Sequence, residues 1–216
     1  MLVNSKIEQD SDSMMRNNKF DIDQYRPNKY GSHDIFRNRW SPRAMSDIPV
    51  DENDLLAMFE AAHWAPSSYN NQPWRFLYAK KGTQEWDTYF NLLAEANQVW
   101  CKNVSILMVI ISKTTFDHNG KPMNTHAFDT GAAWGMLALE GARRGLVVHG
   151  MAGFDYKKAK EDLNIPDGFE VRAMAAIGNQ GDPETLPEKM RLVEKPSSRK
   201  DLTRLVSQGT FNSALR

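Results

Sequence analysis

The sequence has a single cysteine, Cys101, in 216 residues, so it forms no internal disulfide and a reducing compartment is expected. It has no excess charge of either sign: 27 basic and 27 acidic side chains cancel. That argues against a general polyanion binder such as a nucleic-acid protein, although balanced totals leave room for a local basic pocket. Long apolar runs are missing too. The longest, Ile106 to Ile111, falls far short of the roughly 20 residues a bilayer span needs. The start, Met1-Leu2-Val3-Asn4-Ser5-Lys6, lacks the apolar stretch of a secretory leader, so a soluble cytoplasmic protein is expected, without membrane or nucleic-acid partners. There is no glycine-rich dinucleotide fingerprint, Walker loop, Gly-x-Ser-x-Gly elbow or His-Glu-x-x-His pair. His33, His63, His118, His126 and His149 are scattered without metal-ligand spacing, which leaves a hydrolase or metalloenzyme poorly supported.

What is present reads as one domain with appendages. Residues 1–30 form a polar arm without periodicity, expected to be mobile or laid over the surface, and 31–216 form the domain. Asp51 and Asp54 precede Leu55, Met58, Phe59 and Ala62 at helical spacing, predicting a capped helix. His63, in its last turn, reads as a packing or capping residue. A strand through Trp74, Phe76 and Tyr78 follows, then a helix carrying Trp86, Tyr89, Phe90 and Leu93. Val104 to Ile111, apolar and β-branched, predicts a central strand buried on both faces. The excursion from Thr114 to Asn124 is of the kind that covers a site. Phe128 to Arg144 predicts a long helix lined with small residues, placed deep in the protein or at a subunit contact.

Leu146-Val147-Val148 and Val171 to Gly178 are further strands, with a short helix capped by Asp155 between them. A polar tail ends in a short helix from Ser198 to Val206, a composition suited to packing on a partner subunit. The whole predicts an α+β three-layer sandwich: a mixed, mainly antiparallel central sheet with helices on both faces.

The chain turns most sharply at Ala65-Pro66-Ser67-Ser68-Tyr69-Asn70-Asn71-Gln72-Pro73-Trp74. Pro66 ends the preceding helix, and Ser67, Ser68, Asn70 and Asn71 can bond either the backbone or a bound molecule. Arg39, Arg43 and Arg199, from opposite ends of the chain, offer guanidinium forks of the geometry that pairs with phosphate oxygens. Ser41 adds a neutral donor, and Gly150-Met151-Ala152-Gly153 lets backbone pass close to a flat ring. Together these would suit a nucleotide-like anion with a planar heterocycle. Each alone is equally compatible with a salt bridge, a cap or a tight turn.

The order of these segments resembles the FMN-dependent nitroreductase family. Arg39-Trp40-Ser41-Pro42-Arg43 resembles its Arg-x-Ser-x-Arg/Lys element, and Pro66 to Trp74 its Pro-Ser-Ser-x-Asn-x-Gln-Pro-Trp signature. Val148 to Asp155 is similar to its strand end under the flavin, and Arg199-Lys200 to its C-terminal phosphate contact. The resemblance implies FMN held at its phosphate and ribityl chain by Arg39, Ser41 and Arg199, with Trp40 in the same element, and Arg43 near the N1 and C2 carbonyl edge. Pro66, Ser67, Ser68 and Asn70 would reach the flavin of the other subunit of a homodimer, and Met151, Ala152 and Gly153 would pack near N5. It also implies ping-pong transfer from NADH or NADPH to a small-molecule electron acceptor, a nitroaromatic or quinone, without a side-chain acid or base. The same fold also serves enones, halophenols or free flavin, and a non-catalytic FMN binder is the remaining alternative. This chain departs from the pattern at Cys101 and Lys102, where relatives carry an amide, leaving Asn97 or Gln98 as substitutes. It departs again at Gly150, whose small size implies a wider pocket. His149 reads first as a structural residue, with a substrate contact as the second reading.

Overall fold

The computed structural model describes residues 20–215, so the first nineteen residues of the expected arm lie outside the described residues. In chain order the elements are α1 (Ile22–Tyr25), α2 (Asp34–Asn38), α3 (Glu52–His63), β1 (Trp74–Lys80), α4 (Trp86–Phe90) and α5 (Glu95–Cys101). Then come β2 (Ile106–Lys113), α6 (His126–Arg143), β3 (Leu146–Met151), α7 (Tyr156–Asp162), β4 (Phe169–Asn179) and α8 (Glu188–Arg191). The strands form one sheet in the order β1-β2-β4-β3, and every pairing among them is antiparallel.

The apolar run of β2 takes a central place because both its faces are covered. Ile106, Met108 and Ile110 pack with Leu55 and Met58 of α3 and Leu137 of α6 on one side. Leu107, Val109 and Ile111 pack with Trp100 and Cys101 of α5 and Ala159 of α7 on the other. The period-2 alternation of one strand thus builds two cores, which is what a three-layer sandwich requires. The Asp51 carboxylate accepts from Asn53 N at 2.8 Å and starts α3. The small residues of α6 divide by face. A Cβ on Gly141 would lie 2.8 Å from Val148 Cγ2 and 3.0 Å from Met58 Cε, so a glycine lets α6 settle against α3 and β3. Gly131 and Gly135 meet nothing within 4 Å.

Two local expectations change. The helix predicted through Leu93 stops at Phe90, because Leu92 O accepts from Asp155 N and Leu93 bridges Phe154, which turns the chain into α5 instead. The tail helix predicted from Ser198 to Val206 shrinks to one 3₁₀ turn, Leu202–Arg204, capped by Asp201, while α8 forms earlier in the tail. No helix among the described residues is long and apolar enough to cross a membrane, and no cluster of possible metal ligands occurs among them. At the far side of the sheet β3 is an edge strand, bonded on one side only, and the segment 39–45 runs close by it.

Candidate functional site

The segment from Arg39 to Met45 has no helix or strand to hold it, and long-range bonds do so instead. His149, on β3, bonds through Nδ1 to Pro42 O at 2.8 Å; since a carbonyl only accepts, Nδ1 carries the proton. Glu194 of the tail, its side chain buried, accepts from Arg43 N at 2.5 Å and Ala44 N at 2.8 Å. Met45 bridges Gln180, and Gly181 N donates to Ala44 O at 2.9 Å. A Cβ on Gly181 would sit 2.5 Å from the Met45 carbonyl carbon, so this close approach needs a glycine.

Arg39, Trp40, Ser41, Arg43 and Arg199 line one cleft of about 780 Å³, joined by Arg26 and His149. The expected convergence of three guanidinium groups from opposite ends of the chain is therefore present. Arg39 Nη1 lies 3.3 Å from Ser41 Oγ, and Arg199 Nη1 bonds Ser197 Oγ at 2.8 Å. Neither Arg39 nor Arg199 has a carboxylate partner among the described residues, whereas Arg43 Nη1 stands 4.0 Å from Glu194 Oε2. Burial, and then the charge of Arg199, hold the Arg39 pKa below the usual guanidinium value. Burial likewise holds His149 below the ordinary imidazole value, with Arg43 and Arg39 acting in the same direction and the Pro42 hydrogen bond against it. Its ring packs on Trp100 with centroids 4.7 Å apart, the structural role read first.

Past the end of β3 the chain presents bare backbone. Neither the Ala152 nor the Gly153 N–H donates to another backbone group among the described residues. Gly150, Met151 and Ala152 line a second, mostly apolar cleft of about 690 Å³ with Thr130, Gly131 and Trp134. The room expected from the small Gly150 is partly taken: Trp134 Cζ2 is 3.0 Å from where its Cβ would be. Asn97 and Gln98 are not free substitutes for a flavin-facing amide. Asn97 Nδ2 donates to Gly153 O at 2.9 Å and fixes that turn, and Gln98 Nε2 donates to Leu93 O at 3.0 Å. Burial pushes the Cys101 thiol well above its usual range, so it is inert packing.

The corner at Pro66, Ser67, Ser68 and Asn70 lines neither cleft. It lies at the end of α3 beside the start of α6, where buried Asp129 accepts from Ser68 N at 2.9 Å and Ser67 Oγ accepts from Gln72 N at 3.0 Å. Tyr69, Asn70 and Gln72 all hold positive φ, a conformation side chains rarely adopt, so the corner is a strained and specified shape. Asn71 ties it to the 114–124 excursion, with Nδ2 donating to Thr115 O at 3.2 Å and Oδ1 accepting from Asp117 N at 2.8 Å. Within one chain, then, the excursion leans on this corner rather than over the arginines. Sequence reasoning passed over Arg26, Asp129, Trp134 and Glu194. Each acts on residues far along the chain or on a neighbouring element, so no local motif marks it.

An antiparallel α+β sandwich with a cationic cleft beside its edge strand defines the class of fold. Comparison with known proteins gives that class a family. Residues 36–99 match the model of the Nitroreductase family. A solved structure described as an oxidoreductase containing FMN is 44% identical, with a TM-score of 0.84 over 87% of this chain and 96% of its own. A nitroreductase family protein of Clostridium difficile 630 shares the fold, with a TM-score of 0.65 at 20% identity over 82% of this chain and 98% of its own. A Streptomyces coelicolor protein provisionally named NADH dehydrogenase/NAD(P)H nitroreductase is 22% identical over 74% of this chain and 89% of its own. The chain belongs to the nitroreductase family.

Proposed function

We propose that the protein is an FMN-dependent oxidoreductase that draws on NADH or NADPH and reduces a small acceptor of the nitroaromatic or quinone type. The observation that carries this reading is a cluster of guanidinium groups in which, among the described residues, only Arg43 has a carboxylate nearby, in a cleft beside the edge strand that leads to the Ala152 and Gly153 N–H groups, which bond no other backbone group there. Cations that outnumber nearby carboxylates favour a phosphate, and free backbone donors favour a polar ring edge. The 44% identical structure described as containing FMN supports the same cofactor.

FMN, when bound, supplies the two-electron chemistry between nicotinamide and acceptor. The chain's residues hold and tune. Arg39, Ser41 and Arg199 take the phosphate and ribityl end, with Trp40 beside them. Arg43 supplies positive charge to the pyrimidine edge and so favours the reduced state. Met151, Ala152 and Gly153 meet the ring through backbone, and the Asn97 amide keeps Gly153 in place. His149 is neutral at neutral pH and its Nδ1 proton is committed to Pro42, so protons come from solvent.

Pro66, Ser67, Ser68 and Asn70 complete the site from the second subunit of a homodimer. Exposed apolar groups support that assembly: Phe128 on α6 is 80% exposed, and Leu205, Val206 and Phe211 in the tail are also open. The domain then comprises residues 31–216 with its tail packed on the partner, and a cytoplasmic location suits a protein whose one cysteine is buried and free.

The test is the visible spectrum of the purified protein before and after anaerobic NADH or NADPH. A yellow protein that bleaches within seconds to minutes supports the reading. One that stays oxidised is a flavin binder without turnover, and a colourless one that takes up no FMN overturns both. Replacing Arg43 with alanine is expected to slow that reduction about 10- to 100-fold, the scale of one lost electrostatic contact, and to weaken FMN binding. Unchanged reduction kinetics would remove Arg43 from its role.

A further inference from the structure

Arg26 belongs to the segment expected from its sequence to be a surface arm, yet only 8% of its surface is exposed. Its guanidinium reaches three backbone carbonyls. Nε donates to Ser197 O at 2.9 Å, and Nη1 donates to Arg37 O at 2.8 Å and Arg39 O at 2.7 Å. These acceptors belong to two stretches of chain that no sheet or helix joins: one leads into Arg39 and Ser41, the other into Arg199. The ring of Phe20 stands edge-on to Trp40 at 5.7 Å and to Tyr25 at 6.0 Å, which fastens the segment carrying Arg26 onto the cleft.

Neutral carbonyls are an expensive set of partners for a buried cation. Burial, and then the charges of Arg199 and Arg39, pull the Arg26 pKa down to about 10. Among the described residues no carboxylate pairs with Arg26, Arg39 or Arg199. Burying a third cation beside two others is unfavourable by itself; a doubly charged phosphate in the same cleft would offset it.

We propose that Arg26 is a positioning residue for the phosphate end of the cofactor site. It sets the separation between the Arg39 and Arg199 segments through the three carbonyls and adds positive charge behind them. This inference rests on the reading of the cleft as an FMN site.

The test compares FMN with riboflavin, which has the same ring and ribityl chain but no phosphate, binding each to apoprotein and following quenching of flavin fluorescence. Arg26→Gln is expected to weaken FMN about 10- to 100-fold, the scale of lost charge-assisted contacts, and to leave riboflavin affinity within about twofold. Arg26→Lys, which keeps the charge but cannot span three carbonyls, is expected to fall between wild type and Arg26→Gln for FMN, and it serves where the glutamine variant fails to fold. Equal losses for both flavins would mean a general structural role, and no loss for either would mean no role; both overturn the proposal while leaving the cofactor reading intact. A wild-type protein that takes up neither flavin overturns the cofactor reading and this inference with it.

Discussion

His149 joins an edge strand to the loop that carries Arg43 through an Nδ1–H that it keeps in either protonation state, so pH acts on this joint through the cost of a charge on a buried ring. Burial keeps the folded-state pKa below the ordinary imidazole value of about 6.5. Between those two values the unfolded chain binds a proton that the folded chain does not. The stability contributed by neutral His149 is therefore fully present above about pH 6.5 and is lost as pH falls through the lower folded value. The wild-type melting temperature is expected to drop more steeply from about pH 7.5 to about pH 5 than that of His149→Gln, whose side-chain amide can still donate to Pro42 O. Parallel slopes for the two proteins would show that His149 does not titrate across this window.

At this scale the sequence was readable where chemistry is declared by residue type. Arginine forks and a serine stand out by residue type, and Arg39, Ser41, Arg43 and Arg199 line one cleft. It was unreadable where an ordinary residue acts across the chain. Glu194 holds the amides of Arg43 and Ala44 from about 150 positions away, and no pattern near Val193-Glu194-Lys195 distinguishes it from a solvated acid.

Among the elements, the corner from Ser67 to Gln72 and the 114–124 excursion behave as one unit. Asn71 supplies three hydrogen bonds between them, with Thr115 O, Asp117 N and, more weakly, Met123 Sδ, and Tyr69 packs on Phe116 and His118 with ring centroids 5.6 Å apart in each pair. Asn71→Ala is expected to cost about 1–2 kcal/mol, the scale of two full hydrogen bonds and a weak one to sulfur lost together. It should also speed amide exchange from Phe116 to Met123 while leaving β2 protected. Exchange in the excursion that matches wild type would show that the aromatic packing alone holds it.

Strong local signals gave the elements correctly: the Asp51 cap, the apolar run of β2, and the helical spacing of α6. The break between α4 and α5 was hidden because Leu93 continues the apolar period of Trp86, Tyr89 and Phe90. Its backbone is instead drawn off by Phe154, a tertiary pairing that periodicity cannot register.

For the molecule as a whole, the expected layers are present in one chain while the expected site is divided. The arginine cleft and the serine-asparagine corner line different parts of the surface. The homodimer proposed above is the arrangement in which one subunit's corner completes the other's cleft. Equilibrium sedimentation is expected to give twice the mass of one chain, and Phe128→Asp to shift that mass toward the monomer, because a charge would be buried at the contact. Should the variant lose the dimer, FMN affinity is expected to fall with it. A wild-type monomer that binds FMN at full affinity would rule out a shared site.

The grip of Arg26 on Ser197 and Arg39 gathers segments far apart in the chain into one knot. Trimming from the front past residue 26 or from the back past residue 197 would undo the same fastening, although the two residues lie 171 positions apart.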